Sequence, residues 1–376
     1  KDLIDNFASY HAKDPDTYSD EDWTAGSFKK NTTHQRHSFT LTGGTKKLKS
    51  TFSFNYYDAD GLLKTETTNN YKRFNIRSNT DYQINDWIHA SADINLVHSI
   101  TDYPHASSGY TTIAFQAPIY PIKFTDGEYS YGKSGENYPA VWEHGGNELS
   151  KGYTVTGKLQ LDVTPVKGLT LSAVVAPQYY FGYGKSHTKK FQIEESAGVF
   201  KDAGGYAATN LTESRNNNNS MTTQFYANYK GDWGKHSLSA MVGYEGYTYY
   251  WENLSATRKN YLLSNFPYLD LGPSDQQFNS GTAGHNAYNS MFGRLIYSFA
   301  GKYLLQANVR RDWSSRFAKG YRGATFPSAS FGWVMSEEPW FNSNFFNFVK
   351  LRASVGQLGN ERIGDDFPYM ALLSTG

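Results

Sequence analysis

Between Thr154 and Val163 apolar and polar residues alternate without a break. Val155, Gly157, Leu159, Leu161 and Val163 stand against Thr154, Thr156, Lys158, Gln160 and Asp162. A period of two marks a strand with one face in an apolar medium and the other in water. The alternation recurs in Ile88, Ala90, Ala92, Ile94 and Leu96 against His89, Ser91, Asp93 and Asn95, and in Phe52, Phe54 and Tyr56 against Ser53 and Asn55. Tyr303, Leu305, Ala307 and Val309 repeat it, as do Val349, Leu351, Ala353 and Val355. Further candidates lie at 37–42, 71–80, 169–181, 221–230, 237–250, 291–299 and 326–335. No helical period competes. The expectation is roughly a dozen strands of ~10 residues, the length that crosses a bilayer at a tilt.

The connections alternate in length. Thr164-Pro165-Val166-Lys167-Gly168 and Gly231-Asp232-Trp233-Gly234-Lys235 are tight turns, while 98–150, 182–220 and 251–289 are long and polar. Pro, Gly and Asp supply the backbone angles that short turns need. Short turns on one rim and long loops on the other are the habit of membrane barrels, with the long side extracellular.

Composition agrees by what it excludes. Aromatic residues are 16% of 376, with 30 Tyr, 24 Phe and 8 Trp, yet mean hydropathy is -0.63. No apolar run is long enough for a membrane helix. A barrel hides from hydropathy because lipid-facing and lumen-facing residues average out along each strand. With 36 Lys+Arg against 35 Asp+Glu, the chain lacks the basic excess that nucleic-acid binding requires. The absence of Cys removes thiol chemistry, disulfides and Cys-based metal sites.

Arg294, Arg310, Arg311, Arg316, Lys350 and Arg352 fall on or beside strands. A charge at the lipid midplane would cost ~2–4 kcal/mol, so these side chains are expected to face the lumen or sit at a rim. There they can pair with lumen carboxylates or touch a passing solute. Trp23, Trp87, Trp233, Tyr247, Tyr249, Tyr250, Trp251, Trp313, Trp333 and Trp340 suit the aromatic girdles at the two membrane interfaces. Aromatics of the long loops, Tyr103, Tyr110, Tyr129, Tyr131, Tyr138 and Trp142, are the candidates for ligand contact, since their rings can stack on sugar faces. His34 with His37, His98 with His105, and the acid pairs Glu194-Glu195 and Glu337-Glu338 lack a third group at useful spacing. No catalytic, metal or cofactor site is expected.

Residues 292–364 carry a specific ordered pattern. It comprises Phe292-Gly293-Arg294, Gly301-Lys302-Tyr303-Leu304-Leu305, residues 310–317, Phe326-Pro327-Ser328, Trp333, Ser336-Glu337-Glu338-Pro339 and residues 350–360. Earlier come Asp22-Trp23, Gln35 to Phe39, Gly43-Gly44, Gly61, Tyr71 to Phe74, Arg77-Ser78-Asn79, Ala117-Pro118-Ile119-Tyr120-Pro121 and Asp126-Gly127-Glu128-Tyr129. In this order the motifs closely resemble the SusC/RagA-type TonB-dependent outer-membrane transporters, over about residues 20–370.

The resemblance implies an all-β fold, an antiparallel transmembrane β-barrel of which this chain is about half of 22 strands. The plug domain and TonB box are expected outside this chain. Domain organisation is read as one barrel segment over 1–376: early strands at 20–100, long extracellular loops at 101–150, 182–220 and 251–289, and central strands at 290–370. The resemblance further implies import of an oligomeric nutrient, an oligosaccharide before a peptide, with a SusD-like surface lipoprotein and TonB as partners and outer-membrane lipid around the wall. The competing readings are a non-transporting adhesin or surface scaffold on a similar barrel and, more remotely, a soluble β-rich carbohydrate enzyme.

Overall fold

The computed structural model describes residues 2–106, 109–133, 135–364 and 366–370. Twelve strands form one antiparallel sheet: β1 (His34–Gly44), β2 (Leu48–Asp60), β3 (Asn70–Asn85), β4 (Ile88–Pro104), β5 (Gly146–Val166), β6 (Leu169–Thr188), β9 (Asn210–Trp233), β10 (His236–Arg258), β11 (Gln277–Phe299), β12 (Tyr303–Ser314), β13 (Gly323–Val334) and β14 (Lys350–Gly356). A separate hairpin, β7 (Gln192–Ser196) with β8 (Val199–Asp202), interrupts the meander between β6 and β9. Every neighbour in the large sheet is the next strand in sequence apart from that excursion. No helix among the described residues is long and apolar enough to cross a membrane.

Directly opposed residues share a face of an antiparallel sheet, so the register sorts every side chain. One row runs through Ser91, Gln160, Val174, Gln224, Glu245, Ser290 and Asp312. The row beside it, on the opposite face, runs through Ala90, Leu161, Ala173, Phe225, Tyr244 and Met291. The second face is apolar and open: Leu159 is 57% exposed, Phe225 53% and Val242 64%. So much uncovered hydrocarbon on one face of a sheet has a stable home only in lipid.

Aromatic rows bound this face. Toward the long loops, His37, Tyr56, Phe74, His98 and Tyr153 lie opposite one another on β1 to β5, with ring centroids 4.1 to 6.2 Å apart. Toward the short turns stand Tyr229 with Trp233, His236 with Phe299, and Tyr303 with Trp333. On β4 the apolar span from Ile88 to His98 covers about ten residues, which at ~3.3 Å each and ~40° of tilt is ~25 Å, the height of a barrel's apolar band. The register shows the tilt itself. The row that begins at Ile88 beside a short turn passes Val163, Leu171, Ala227, Val242 and Gly293 to Val309, which lies well inside β12.

Gly168 closes the β5–β6 turn at φ +88°, where a Cβ would sit 2.3 Å from the Lys230 carbonyl oxygen. Only glycine fits both constraints. The connection 335–349 departs from the pattern of short turns, for it lies on the same rim as the tight turns and exposes Phe345, Phe346 and Phe348.

Three sequence expectations change. Residues 182–220 and 251–289 are largely strand, since β6 continues to Thr188, β9 starts at Asn210, β10 ends at Arg258 and β11 starts at Gln277. Asn216 to Asn219, inside the expected 182–220 loop, pair with Asn253 to Tyr250 on β10 and with Gly182 to Tyr179 on β6. Above the apolar band both faces of a strand are wet, so the alternation that reveals a strand disappears while its backbone pairing continues. Residues 2–33 add no strand. They form short helices α1 (Asp2–Asp5), α2 (Phe7–Lys13) and α3 (Trp23–Ser27) ahead of β1.

Leu159→Arg places a charge on the lipid face and is expected to cost ~2–4 kcal/mol, whereas Thr156→Arg on the polar face is tolerated. Heat-modifiable electrophoretic mobility and urea unfolding of the refolded full-length protein check the contrast. Equal behaviour of the two variants would reverse the face assignment.

Candidate functional site

The polar face of the sheet and the packed loops above it form the candidate site. On the polar face Arg310 is the hub. Its Nη2 donates to Glu245 Oε1 at 2.8 Å and to Ser290 Oγ at 2.7 Å, and its Nε donates to Asp312 Oδ1 at 2.7 Å. Glu245 also accepts from Gln224 Nε2 at 2.6 Å. The network ties β9, β10, β11 and β12 together. Arg294 Nε donates to Asn308 Oδ1 at 3.0 Å, and Asn308 passes the ladder to Ser328 on β13 at 3.1 Å. Lys350 and Arg352 share this face by register, opposite Val334 and Gly332.

Above the hub lies a cavity of about 780 Å³, lined among others by Tyr247, Tyr249, Tyr288, Arg316, Arg322 and Glu361. Tyr247 and Tyr288 stack with centroids 5.0 Å apart and planes 22° apart. Asp366 draws the segment after β14 back over this wall. Its carboxylate accepts from Trp251 Nε1 at 3.2 Å and Asn286 Nδ2 at 2.9 Å, and pairs with Arg316 at 3.2 Å.

Tyr247, Tyr249 and Trp251, expected in a girdle, therefore face inward. The parity was present in the sequence: they alternate with Thr248 and Tyr250 and share the face of Glu245. Tyr250 keeps to the outer face, and Trp233 and Trp333 to the lower girdle. Trp23 is buried in the loops and donates from Nε1 to the Tyr120 carbonyl at 2.9 Å. A tryptophan beside no strand had no parity to read.

The loops pack into a cap with its own core. Trp23, Leu63, Ile113, Ile122 and Trp142 form one cluster, and Ala140, Val141, Ile193, Ala203 and Tyr206 a second. They come from α3, the β2–β3 loop, the 105–145 segment with helices α4 (Tyr110–Ile113) and α5 (Tyr138–His144), and the segment carrying β7 and β8. Asn137 caps α5 by accepting from Ala140 N at 3.2 Å, and its amide donates to the Ile122 and Ser130 carbonyls, each at 2.8 Å. The hairpin docks through main-chain bonds from Tyr131 N to Glu194 O, 2.6 Å, and from Glu194 N to Tyr129 O, 2.9 Å.

Of the six loop aromatics, Trp142 is corrected: it is fully buried, with Nε1 donating to the Ala106 carbonyl at 3.3 Å, and cannot offer its ring to a ligand. A large ring in a long polar loop reads as a surface group until the loops are seen to fold on each other. Tyr138 and Tyr129 pack against the same core. Burial pushes the Tyr129 hydroxyl up to about 12, and the Lys123 ammonium lies 4.2 Å from its ring centre. Tyr131 borders the second core beneath Lys201. Tyr103 tops the polar face of β4, and Tyr110 is 57% exposed.

No family model matches the chain. It is 26% identical over 345 residues to TonB-dependent receptor P39 of Formosa agariphila, covering 90% of this chain and 32% of that protein. It is 27% identical over 364 residues to TonB-dependent receptor SusC of Bacteroides thetaiotaomicron, covering 89% of this chain and 34% of that one. The fold matches the RagAB peptide importer in its open-open state with a TM-score of 0.80, 23% identity, and coverage of 94% of this chain and 39% of that chain. In sequence the chain is similar to TonB-dependent receptors of the SusC type, and in fold to the RagAB importer. It spans about a third of the length of the curated relatives it matches. The receptor segment is an outer-membrane β-barrel wall.

Three predictions follow from the site. Arg310→Met strands the largely buried Glu245 carboxylate and is expected to cost ~3–5 kcal/mol; adding Glu245→Gln recovers most of it, as urea unfolding of single and double variants will show. Trp142→Ala removes ~3–5 kcal/mol from the cap core, so amide exchange should accelerate across 138–145 while the strands of the band keep their protection. Burial lowers the proton affinity of His105, His144 and His187 below that of an ordinary imidazole. The folded cap holds them neutral, so an opened cap takes up protons first as pH falls below ~6.5. Its stability is full above that pH and declines on acidification. Exchange of 138–145, corrected for intrinsic rates, should be faster at pH 5 than at pH 7.

Proposed function

We propose that this chain supplies wall and outer cap to a receptor that imports an oligomeric nutrient across the outer membrane. The observation that carries the reading is the pairing of a polar inner wall, bearing the stacked Tyr247 and Tyr288, with a folded cap on the long-loop rim. The long-loop rim faces the outside. An oligosaccharide is the preferred solute, because flat aromatic faces bordered by amides such as Gln178, Asn218 and Asn286 suit sugar rings. Motif resemblance and the named relatives support a plug and TonB box in the remainder of the protein and a SusD-like lipoprotein above the cap. Arg294, Arg310, Arg316, Lys350 and Arg352 hold the wall and meet plug or solute. Tyr110 and Tyr103 are the loop aromatics best placed for the solute.

Release of a tightly held solute needs work. A site binding at ~1 μM stabilises its ligand by ~8 kcal/mol. About four charges crossing ~100 mV at the inner membrane release a comparable amount, and TonB would deliver it. The protein itself does no covalent chemistry.

Cells expressing the full-length receptor should accumulate labelled oligosaccharide only when TonB is functional. Uptake unchanged without TonB would defeat the import reading, and TonB-dependent uptake of peptide instead would replace the solute. Orientation has its own check: these 376 residues hold no cysteine, so Lys133→Cys adds one thiol to this segment, and the variant should react with an impermeant maleimide on intact cells above the level of the unsubstituted receptor.

A further inference from the structure

On the inward face above Asp93, Lys158 and Glu245, the sheet carries no charge from β4 to β11. By the register, the inward positions there are every second residue, counted from the first, of 95–103 on β4, 150–156 on β5, 174–186 on β6, 212–224 on β9, 247–257 on β10 and 280–290 on β11. All of them are Ser, Thr, Asn, Gln, Gly, Ala, Val, Tyr or Trp. The same stretches do hold Asp102, Lys151, Lys185, Glu213, Arg215 and Glu252, and each of these takes the outward face. Charge is therefore sorted away from this wall rather than missing from its strands. It returns at the flanks, with Arg73 and Arg77 on β3, with Arg310, Asp312 and Arg316 from β12 onward, and with Glu148 beside His105 at the cap.

Tyr180 lies down on this wall. Gly152 and Gly182 are directly opposed on β5 and β6. A Cβ on Gly182 would stand 3.0 Å from Cε1 and Oη of Tyr180, and one on Gly152 would stand 3.2 Å from its Cε2. The two glycines thus form a floor of bare backbone, which the ring covers with one face while the other turns to the lumen. Trp251 repeats the arrangement two strands away, where a Cβ on Gly284 would stand 2.6 Å from its Nε1. The Asp366 carboxylate, which accepts from that Nε1 and pairs with Arg316, closes that end. Tyr180 is opposite Asn218 and Asn218 opposite Trp251, so two aromatic platforms bracket one amide across ~10 Å of sheet. The Tyr180 hydroxyl and the side-chain amides of Gln178 and Asn218 make no hydrogen bond among the described residues. Flat rings beside unused amides and hydroxyls fit the apolar face and the hydroxyl edge of a sugar.

We propose that the solute lies along this wall as an uncharged oligosaccharide, with one sugar ring stacked on Tyr180, and that the receptor selects against uronate- and sulfate-bearing glycans. This rests on the oligosaccharide import proposed above and names the class of that solute. Selection comes from desolvation. A carboxylate or sulfate laid against β4 to β11 gives up water and meets no cation, a loss that hydroxyls and amides offset only in part. A neutral sugar exchanges its hydration for hydrogen bonds of the same kind. A peptide, with charged termini, is disfavoured on the same ground as an acidic glycan.

The test exposes the full-length receptor, purified in detergent, to polysaccharide hydrolysates that mix neutral, uronate-bearing and sulfated oligosaccharides, and identifies the retained species by mass spectrometry. Neutral species should dominate. The tightest of them, measured by calorimetry, should bind about tenfold more weakly once its primary hydroxyls are oxidised to carboxylates. Its own affinity should be the same at low and high salt, because no ion pair forms. Tyr180→Ala should weaken it about tenfold and Tyr180→Phe much less. Asn218→Lys should improve binding of the oxidised ligand about fivefold, a gain that damage to the fold cannot produce. Preferential retention of acidic oligosaccharides overturns the proposal while leaving oligosaccharide import intact. Retention of peptide alone overturns both. Retention of no neutral species, or equal affinity before and after oxidation, overturns it as well.

Discussion

Backbone amides in hydrocarbon have no water to turn to, and each unpaired one costs several kcal/mol. That requirement governs this chain. It forces the stretches at membrane depth into a nearly continuous ladder, and the register from β1 to β14 is such a ladder, with shifts beside the short turns at Gln83–Asn85 and Val163–Val166 and a gap at Gly157–Lys158 opposite Pro177, which has no N–H to donate. Once the ladder is fixed, the two-residue period leaves no freedom about side chains. Leu159 cannot face lipid unless Gln160 faces inward. The apolar face, the polar wall and the two aromatic rows are therefore consequences of one pairing scheme.

The polar wall shows how charge is kept inside such a structure. Arg310 engages Glu245, Asp312 and Ser290 from three strands' worth of register, which satisfies its guanidinium by geometry that the sheet already imposes. A half-buried cluster of this kind contributes little net stability over an apolar replacement, but loss of one member is costly where a partner as shielded as Glu245 remains charged. Its effect is to hold strand positions relative to one another. Asp366 acts similarly at longer range, fixing a segment distant in sequence against β10 and β11.

What could be read from the sequence follows from where the medium changes. Within the apolar band, one wet and one oily face write an alternating pattern, and Val155 to Val163 or Ile88 to Leu96 are legible at sight. Above the band the pattern stops while the strand does not, which is why Asn216 to Asn219 read as a loop though they pair on both sides. Tyr247, Tyr249 and Trp251 depart from the girdle for a different reason: aromatic identity favours an interface, but their parity with Glu245 sets the face. The cap was illegible in principle. Its core joins Trp23, Leu63 and Trp142 across long separations, and no local period records such meetings.

The cap's core is assembled from pieces that hang on separate hairpins: α3 ahead of β1, Leu63 between β2 and β3, Trp142 between β4 and β5, and Ile193 beyond β6. Lengthening or replacing one of these loops disturbs side chains that the others need. Diversification of this surface is consequently collective. New shapes arise by compensated change across several loops at once, whereas the 259–276 connection contributes nothing to either cluster and is coupled instead to the segment before β9, through Tyr261 N to the Thr209 carbonyl and Ser264 to the Thr209 hydroxyl.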